Sequence, residues 1–137
     1  MTKYDEKVLE FHKVMELPIN VPFETKLLDT RKTLLQEEMT ELFAEIDNAK
    51  VELAGQGSVS RAVFENMCKE MADIQYALSG LAVSFGLPFE QAFDLTHESN
   101  MSKLGADGKP IRREDGKIMK GPLYHKPDLS CLQKKTD

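Results

Sequence analysis

The spacing of hydrophobic residues predicts four helices in the first 104 residues of the chain. Apolar side chains recur every three or four positions over about 4–16, 23–53, 58–85 and 88–103, which is the period of an amphipathic helix. Proline and glycine interrupt the pattern between these segments, and both residue types end helices. Because no alternation typical of strands occurs there, we expect an all-α helical bundle of about four helices.

The second and third predicted helices are the longest. Only a short segment that begins with Gly55-Gln56-Gly57 separates them. A connection this short joins helices that lie antiparallel beside each other. We therefore expect two long antiparallel helices at the centre of the bundle.

A different pattern begins at Gly105, where turn-forming residues replace the helical period. Asp115-Gly116 is a tight-turn pair with a short segment on either side, which predicts a short two-stranded hairpin. No long linker separates this part from the helices. We therefore interpret residues 1–137 as one domain, with a helical body (1–104) and a basic, extended C-terminal arm (105–137).

The charge is unevenly distributed along the chain. Residues 1–100 contain 18 acidic and 9 basic residues, whereas residues 101–137 contain 5 acidic and 9 basic residues. An acidic body with a basic arm argues against duplex nucleic-acid binding, which uses one broad basic face. The distribution suits a protein whose carboxylates hold cations and whose lysines and arginines bind phosphate.

The composition argues against several further classes of protein. No apolar run approaches the roughly 18 residues that a membrane span needs, and the first residues alternate in charge instead of forming a secretory signal. Cys68 and Cys131 are the two cysteines, too few for a disulfide framework and without metal-ligand spacing. We therefore expect a cytoplasmic protein without a membrane partner.

Two acidic motifs occupy matching positions on the long predicted helices. One helix carries Glu37-Glu38-x-x-Glu41, and the other carries Glu70-x-x-Asp73. The predicted apolar stripe of the first of these helices consists of Leu28, Leu35, Met39, Leu42 and Ile46, and that of the second consists of Met67, Met71, Ile74, Leu78, Leu81 and Phe85. At about 100° per residue, Glu38 and Glu70 each lie about 60° from the centre of the stripe of their helix. Glu41 and Asp73 lie about 120° from the same centres, on the same side. If the helices pack through these stripes, the carboxylates converge beside the seam.

Carboxylates that converge in this way repel one another, and their pKa values rise unless a cation is bound. Ligation by oxygen alone favours Mg²⁺, for which Mn²⁺ can substitute. The alternative is that these acids are solvated residues of amphipathic helices, as either motif alone would suggest. Two motifs with matched offsets favour the metal site. Arg31 lies one to two turns before Glu38 and is close enough along the helix to pair with it.

These residues resemble the motif of a known superfamily. E-E-x-x-E followed by E-x-x-D on two helices of a compact α-bundle is similar to the all-α nucleoside triphosphate pyrophosphohydrolases. That superfamily includes the MazG proteins, the dimeric dUTPases and the phosphoribosyl-ATP pyrophosphohydrolases. Asn100-Met101-Ser102-Lys103 resembles the N-x-x-K element of these enzymes, and residues 107–127 resemble the tail of the smaller phosphoribosyl-ATP-pyrophosphohydrolase-like proteins. The resemblance covers about residues 25–125.

The resemblance implies hydrolysis of a nucleoside triphosphate between its α and β phosphates, and removal of dUTP or modified nucleotides is an expectation at family level. It implies that Mg²⁺ is bound by the four clustered carboxylates, Glu38, Glu41, Glu70 and Asp73. Glu37 would be the base for the attacking water. Phosphate oxygens would be bound by residues after the fourth helix and in the arm: Asn100, Lys103, Arg112, Arg113, Lys117 and Lys120.

Other functions stay open at this point. Phosphoribosyl-ATP is an alternative substrate, and a non-catalytic metal-binding or interaction module would use the same acidic edge to hold a basic partner. A di-iron carboxylate bundle is disfavoured because the Glu-x-x-His motifs of such proteins are missing. Phe11, His12 and Tyr76 could stack on a base, although packing in the core or in an interface is the simpler explanation.

The predicted apolar stripes of the long helices are wide, and the short first and fourth helices are too small to cover them. We therefore expect a homodimer or a homotetramer, as in members of the resembled superfamily. The expected small-molecule partner is the nucleotide substrate.

Overall fold

The computed structural model describes residues 1–136 and contains four helices within them. They are α1 (Lys3–Val14), α2 (Thr25–Gln56), α3 (Arg61–Phe85) and α4 (Phe89–Met101). The predicted all-α class is therefore confirmed, and each helix begins and ends within a few residues of its predicted bounds. None of the helices in this part of the chain combines the length and the apolar character needed to cross a membrane.

Local side chains explain where the helices begin and end. Thr2 and Asp5 form a reciprocal capping box at the start of α1, and the Ser60 hydroxyl accepts a backbone hydrogen bond at the start of α3. Gly57 and Gly86 end α2 and α3 with φ angles of 77° and 64°. Because these angles lie in the left-handed region, glycine is the residue that adopts them without a Cβ penalty.

Contacts between α2 and α3 run in opposite directions along the two helices. Near their connection, the Ser60 amide and hydroxyl both donate to the Glu52 carboxylate, at 2.6 and 2.8 Å. Far from the connection, the Arg31 guanidinium lies against the backbone at Gly80. Positions early in α2 therefore face positions late in α3, and the pair is antiparallel, as predicted.

The first helix packs against α3, and the loop after it follows the end of α3. Asp5, Val8 and His12 recur every three or four residues along α1, and all of them are buried. In the loop, two successive backbone amides, at residues 20 and 21, donate to carbonyls at residues 83 and 84, at distances of 3.0 and 2.8 Å. These bonds hold the connection between α1 and α2 beside α3.

The buried apolar core is small for a chain of this length. Among residues 1–136, the buried hydrophobic side chains are Val8, Ala49, Val63, Ala82, Val83 and Phe85. Several members of the predicted apolar stripes are exposed instead, including Met39 (43%), Ile46 (37%) and Met71 (58%). A single chain therefore leaves apolar surface on α2 and α3 uncovered.

By its internal contacts the chain forms two compact units. The first contains residues 2–87, with α1, α2 and α3, and also residues 135 and 136. The second contains Met1 and residues 88–134, with α4 and most of the arm. From the sequence, the boundary between the helical body and the arm was predicted after residue 104, whereas the contacts group α4 with the arm. The interpretation of the whole chain as one domain stays a prediction.

The arm contains a tight turn where the hairpin was expected. The Arg113 amide donates to the Lys117 carbonyl at 2.8 Å, and a single antiparallel bridge joins Arg112 to Ile118. No regular strand forms among residues 1–136. The predicted hairpin is thus reduced to a turn with one bridge, in keeping with the marginal stability of two short strands in water.

The burial of His12 predicts that acid destabilises the fold. The residue is 1% exposed, and Nδ1 of its ring donates a hydrogen bond of 2.8 Å to the Pro18 carbonyl oxygen. Burial lowers the pKa of His12 below its ordinary value of 6.5; the Pro18 hydrogen bond opposes this shift, and the charge of Arg31 adds to it. The unfolded chain therefore binds this proton more readily than the folded chain. The contribution of neutral His12 to the free energy of unfolding is fully present above about pH 6.5 and decreases as the pH drops below that value.

Replacement of His12 by Gln should remove this part of the pH dependence. We expect the wild type to lose up to about 1.4 kcal/mol per pH unit below pH 6.5 relative to His12→Gln. Thermal unfolding followed by circular dichroism between pH 7.5 and 5.0 measures the difference. His97→Gln, at an exposed histidine, is the matched control and should keep the wild-type slope. An identical slope in His12→Gln would contradict the prediction.

Candidate metal centre

Four carboxylates converge between α2 and α3. Glu38 and Glu41 project from α2, and Glu70 and Asp73 project from α3. One carboxylate oxygen from each of them lies within 4.8 Å of the others. The antiparallel register explains this convergence, because the first acid of one motif faces the second acid of the other. We call these residues the carboxylate cluster.

Part of the carboxylate cluster is buried without partners. Oε2 of Glu38 and Oε2 of Glu70 form no hydrogen bond within the described chain, and the Glu70 side chain is only 12% exposed. Burial raises the pKa of the Glu70 carboxyl; a hydrogen bond and the charge of Glu41 raise it further, whereas Lys69 lowers it. Carboxylates in this environment gain stability when a cation neutralises them.

An ammonium group already lies against the cluster. Nζ of Lys69 is 2.8 Å from Oδ2 of Asp73 and 3.5 Å from Oε1 of Glu70. The hydrogen bond to Asp73 is the main reason why the pKa of Lys69 is raised. Because the Lys69 side chain is 63% exposed, it can turn outward when another cation binds. Oxygen donors, orphaned buried oxygens and this ammonium together show that the cluster could hold a metal ion.

Removal of the Lys69 ammonium should therefore tighten the binding of a divalent cation. In Lys69→Met we expect the Kd for Mg²⁺ to fall about threefold to fivefold, since an exposed ion pair contributes up to about 1 kcal/mol. Isothermal titration calorimetry measures this change. Lys50→Met is the matched control, because the ion pair of Lys50 with Asp47 is exposed and lies outside the cluster. Unchanged or weaker Mg²⁺ binding in Lys69→Met would show that the ammonium does not compete with the metal.

Glu37, the predicted base, lies beside the cluster without belonging to it. It is exposed and lines a shallow surface cavity of about 350 Å³. Glu41 lines the same cavity, so this residue belongs both to the cavity and to the carboxylate cluster. The role of Glu37 as a base stays a prediction.

A more enclosed cavity of about 260 Å³ also adjoins the cluster. Glu38 and Asp73 contribute to its lining, as do His12 and Arg31. The expected pairing of Arg31 with Glu38 is wrong: within residues 1–136, Arg31 forms no ion pair. Neither Arg31 nor Lys69 was predicted from the sequence to have a function. A signal existed for Lys69, which lies four residues before Asp73 on one helix.

The predicted phosphate-binding residues belong to the second unit. Asn100 and the basic residues of the turn are exposed, whereas Lys103 is half-buried. Nε of Arg113 donates to the Asp115 carboxylate at 2.9 Å, so this guanidinium already has an anionic partner. The Lys120 ammonium lies 4.8 Å from the centre of an aromatic ring. Phosphate binding by these residues stays a prediction.

Fold and site together define an all-α protein with an acidic centre between two antiparallel helices that could hold a metal ion. The chain belongs to the phosphoribosyl-ATP pyrophosphohydrolase family, whose model matches residues 8–100. This family is part of the all-α nucleoside triphosphate pyrophosphohydrolase superfamily, so the resemblance drawn from the acidic motifs is confirmed. Its activity is that of a hydrolase acting on phosphoric anhydride bonds. No curated protein gives a significant match to the chain.

Proposed function

We propose that the protein is a metal-dependent nucleoside triphosphate pyrophosphohydrolase. It would cleave the bond between the α and β phosphates and release a nucleoside monophosphate and pyrophosphate. The observation that carries this proposal is the convergence of four carboxylates within 4.8 Å, in a chain whose family hydrolyses pyrophosphate bonds. A nucleotide in a housecleaning role, such as dUTP or a modified triphosphate, is the substrate class that we favour.

The carboxylate cluster would hold Mg²⁺, with Mn²⁺ as a substitute. Its four donors are all carboxylates, which these hard cations prefer. When bound, the ion would neutralise charge on the substrate phosphates and lower the pKa of a water molecule. The chain supplies a fixed arrangement of donors on two packed helices, and such positioning lowers the barrier by restricting the reactants in advance.

Glu37 would act as the base for the attacking water. Its carboxylate is exposed and lies in a cavity that also includes Glu41, next to the cluster but outside the set of metal ligands. A carboxylate in this position can accept the proton of the water while the cluster binds the phosphates. Asn100, Lys103 and the basic residues of the arm are proposed to contribute to phosphate binding on the basis of the resemblance alone.

Phosphoribosyl-ATP is a second candidate substrate, and the family match itself favours it. Because it also carries a triphosphate, the carboxylate cluster would serve both substrates in the same way. The two candidates differ in the part of the molecule beyond the phosphates, so the acidic motifs do not separate them.

We also propose that the protein works as a homodimer or a homotetramer. On α2, Met39, Phe43 and Ile46 recur every three or four positions and are 43%, 54% and 37% exposed. On α3, Phe64 and Met71 are 52% and 58% exposed. Exposed apolar residues grouped in this way are typical of an interface. A second copy of the chain would cover them, because like surfaces meet in an isologous contact.

Pyrophosphate release tests the activity directly. The panel contains ordinary and modified nucleoside triphosphates together with phosphoribosyl-ATP, each with Mg²⁺ or Mn²⁺, and EDTA serves as the control. Metal-dependent release from a nucleoside triphosphate supports the first candidate, and release from phosphoribosyl-ATP alone supports the second. No pyrophosphate release from any of these compounds, although metal is bound, would contradict both candidate activities and favour a non-catalytic binding module.

A further inference from the structure

Arg31 is a buried cation without a partner. The residue is only 8% exposed, and its Nε forms no hydrogen bond within residues 1–136. Burial lowers the pKa of the Arg31 guanidinium, which nevertheless stays protonated at any physiological pH. A buried charge without a counterion is costly. A ligand that accepts hydrogen bonds from Arg31 would reduce that cost.

Arg31 lines the 260 Å³ cavity that adjoins the carboxylate cluster. The rings of Phe11 and Tyr76 also line it, and their centres are 5.4 Å apart in an edge-to-face arrangement. Arg31 lies seven residues before Glu38 on α2, which corresponds to about 10 Å along the helix. The cavity thus extends from a buried guanidinium, past apolar walls, to the carboxylates. These dimensions suit a flat heterocycle whose attached phosphates lie at the cluster.

His12 places a hydrogen-bond acceptor beside the guanidinium. Since Nδ1 of His12 donates to the Pro18 carbonyl oxygen, Nε2 of the neutral ring is an acceptor. Nε2 lies 3.7 Å and Nη1 of Arg31 lies 2.8 Å from one point, the position that a Cβ on Gly80 would occupy. His12 and Arg31, which both line the cavity, therefore place an acceptor and a strong donor close to each other.

We propose that this cavity is the nucleobase subsite and that Arg31 selects bases with a ring carbonyl next to a ring N–H, as in uracil, thymine, hypoxanthine and guanine. Arg31 donates to the carbonyl oxygen, and Nε2 of His12 accepts from the N–H. Cytosine and adenine reverse this edge: an amino group faces the guanidinium, and an unprotonated ring nitrogen faces Nε2. The inference rests on the proposed function, because it assumes that the phosphates bind at the carboxylate cluster.

The test compares nucleotides that differ mainly at this edge. Binding of UMP against CMP, and of IMP against AMP, is measured by isothermal titration calorimetry on the full chain with Mg²⁺. We expect the keto member of each pair to bind about 10- to 100-fold more tightly, the effect of one hydrogen bond to a charged group. Equal affinities within both pairs, or no binding of any of these nucleotides, would overturn the proposal.

Two variants and one control connect the preference to Arg31. Arg31→Met removes the donor, and Gly80→Ala introduces a Cβ only 2.8 Å from Nη1 of Arg31, which displaces the flexible end of the side chain. Alanine favours a helix more than glycine does, so Gly80→Ala displaces the guanidinium without weakening α3, and a melting curve by circular dichroism checks that each variant is folded. Both should lose the keto preference and keep the wild-type Kd for Mg²⁺. Arg61→Met, at an exposed arginine paired with Glu65, should keep the preference.

The outcomes separate this inference from the proposed function. A keto preference that depends on Arg31, without pyrophosphate release from any substrate, supports the subsite and rejects the activity. Pyrophosphate release without any base preference rejects the subsite and leaves the activity in place. A preference that persists in both variants would show that other residues determine it.

Discussion

Glu38→Gln and Asp73→Asn are expected to abolish pyrophosphate release and to leave the fold intact. Each substitution replaces one of four carboxylates that lie within 4.8 Å of one another by a neutral amide of the same shape. Loss of residues that merely orient metal ligands costs about 10- to 100-fold in affinity or activity. Loss of a ligand should therefore reduce turnover by more than about 100-fold. The melting temperature of the metal-free protein should stay the same or rise, because repulsion within the cluster decreases.

Three measurements check this result: pyrophosphate release, Mg²⁺ titration and thermal unfolding by circular dichroism. Glu65→Gln is the matched control, since Glu65 lies on α3 in an exposed ion pair with Arg61 and should keep full activity. Unfolding of Glu38→Gln and Asp73→Asn would show that these acids are structural. Wild-type turnover in the folded variants would contradict the assignment of the cluster as the metal site.

Phe43→Glu should dissociate the proposed oligomer. Phe43 is 54% exposed on α2, at the centre of the apolar positions that a second copy would cover. A charge buried in an apolar interface without a partner is strongly unfavourable. We expect the dissociation constant of the oligomer to rise by at least about 100-fold, since a central interface residue contributes about 2 kcal/mol or more. The melting temperature should fall at the same time.

Sedimentation velocity over a range of protein concentrations measures the assembly. Leu123→Glu is the matched control, because Leu123 is 71% exposed but lies outside α2 and α3. This control should sediment like the wild type. A wild-type protein that is monomeric at all concentrations would reject the oligomer. Phe43→Glu with unchanged sedimentation would show that another surface forms it.

The convergence of the carboxylate cluster was predictable from local features of the sequence. Glu38 and Glu70 have the same angular offset from their apolar stripes, and so do Glu41 and Asp73, because the helical period relates residue number to direction. The Gly57 turn is short enough to make the two helices antiparallel neighbours. Given those two facts, the sequence predicts the convergence that the structure contains.

Burial was harder to predict. Met39 and Met71 belong to the predicted stripes yet are exposed in the single chain, since an apolar residue on a helix is buried only where another element covers it. The two short strands predicted around Asp115 are likewise replaced by a turn with a single bridge. A turn signal specifies the turn, but strands form only when further pairing or packing supports them.

The four helices, their order and the matched acidic motifs follow from the amino-acid sequence alone, because these features depend on residues near one another along the chain. By contrast, the burial of Arg31 without a counterion, and the cavity that it lines with His12, Phe11 and Tyr76, result from the packing of the helices. Those residues come from three helices, and their grouping depends on how α1 and the loop after it pack against α3. Periodicity within one helix carries no information about such contacts. It specifies on which face of the helix a residue lies, but not which other element covers that face.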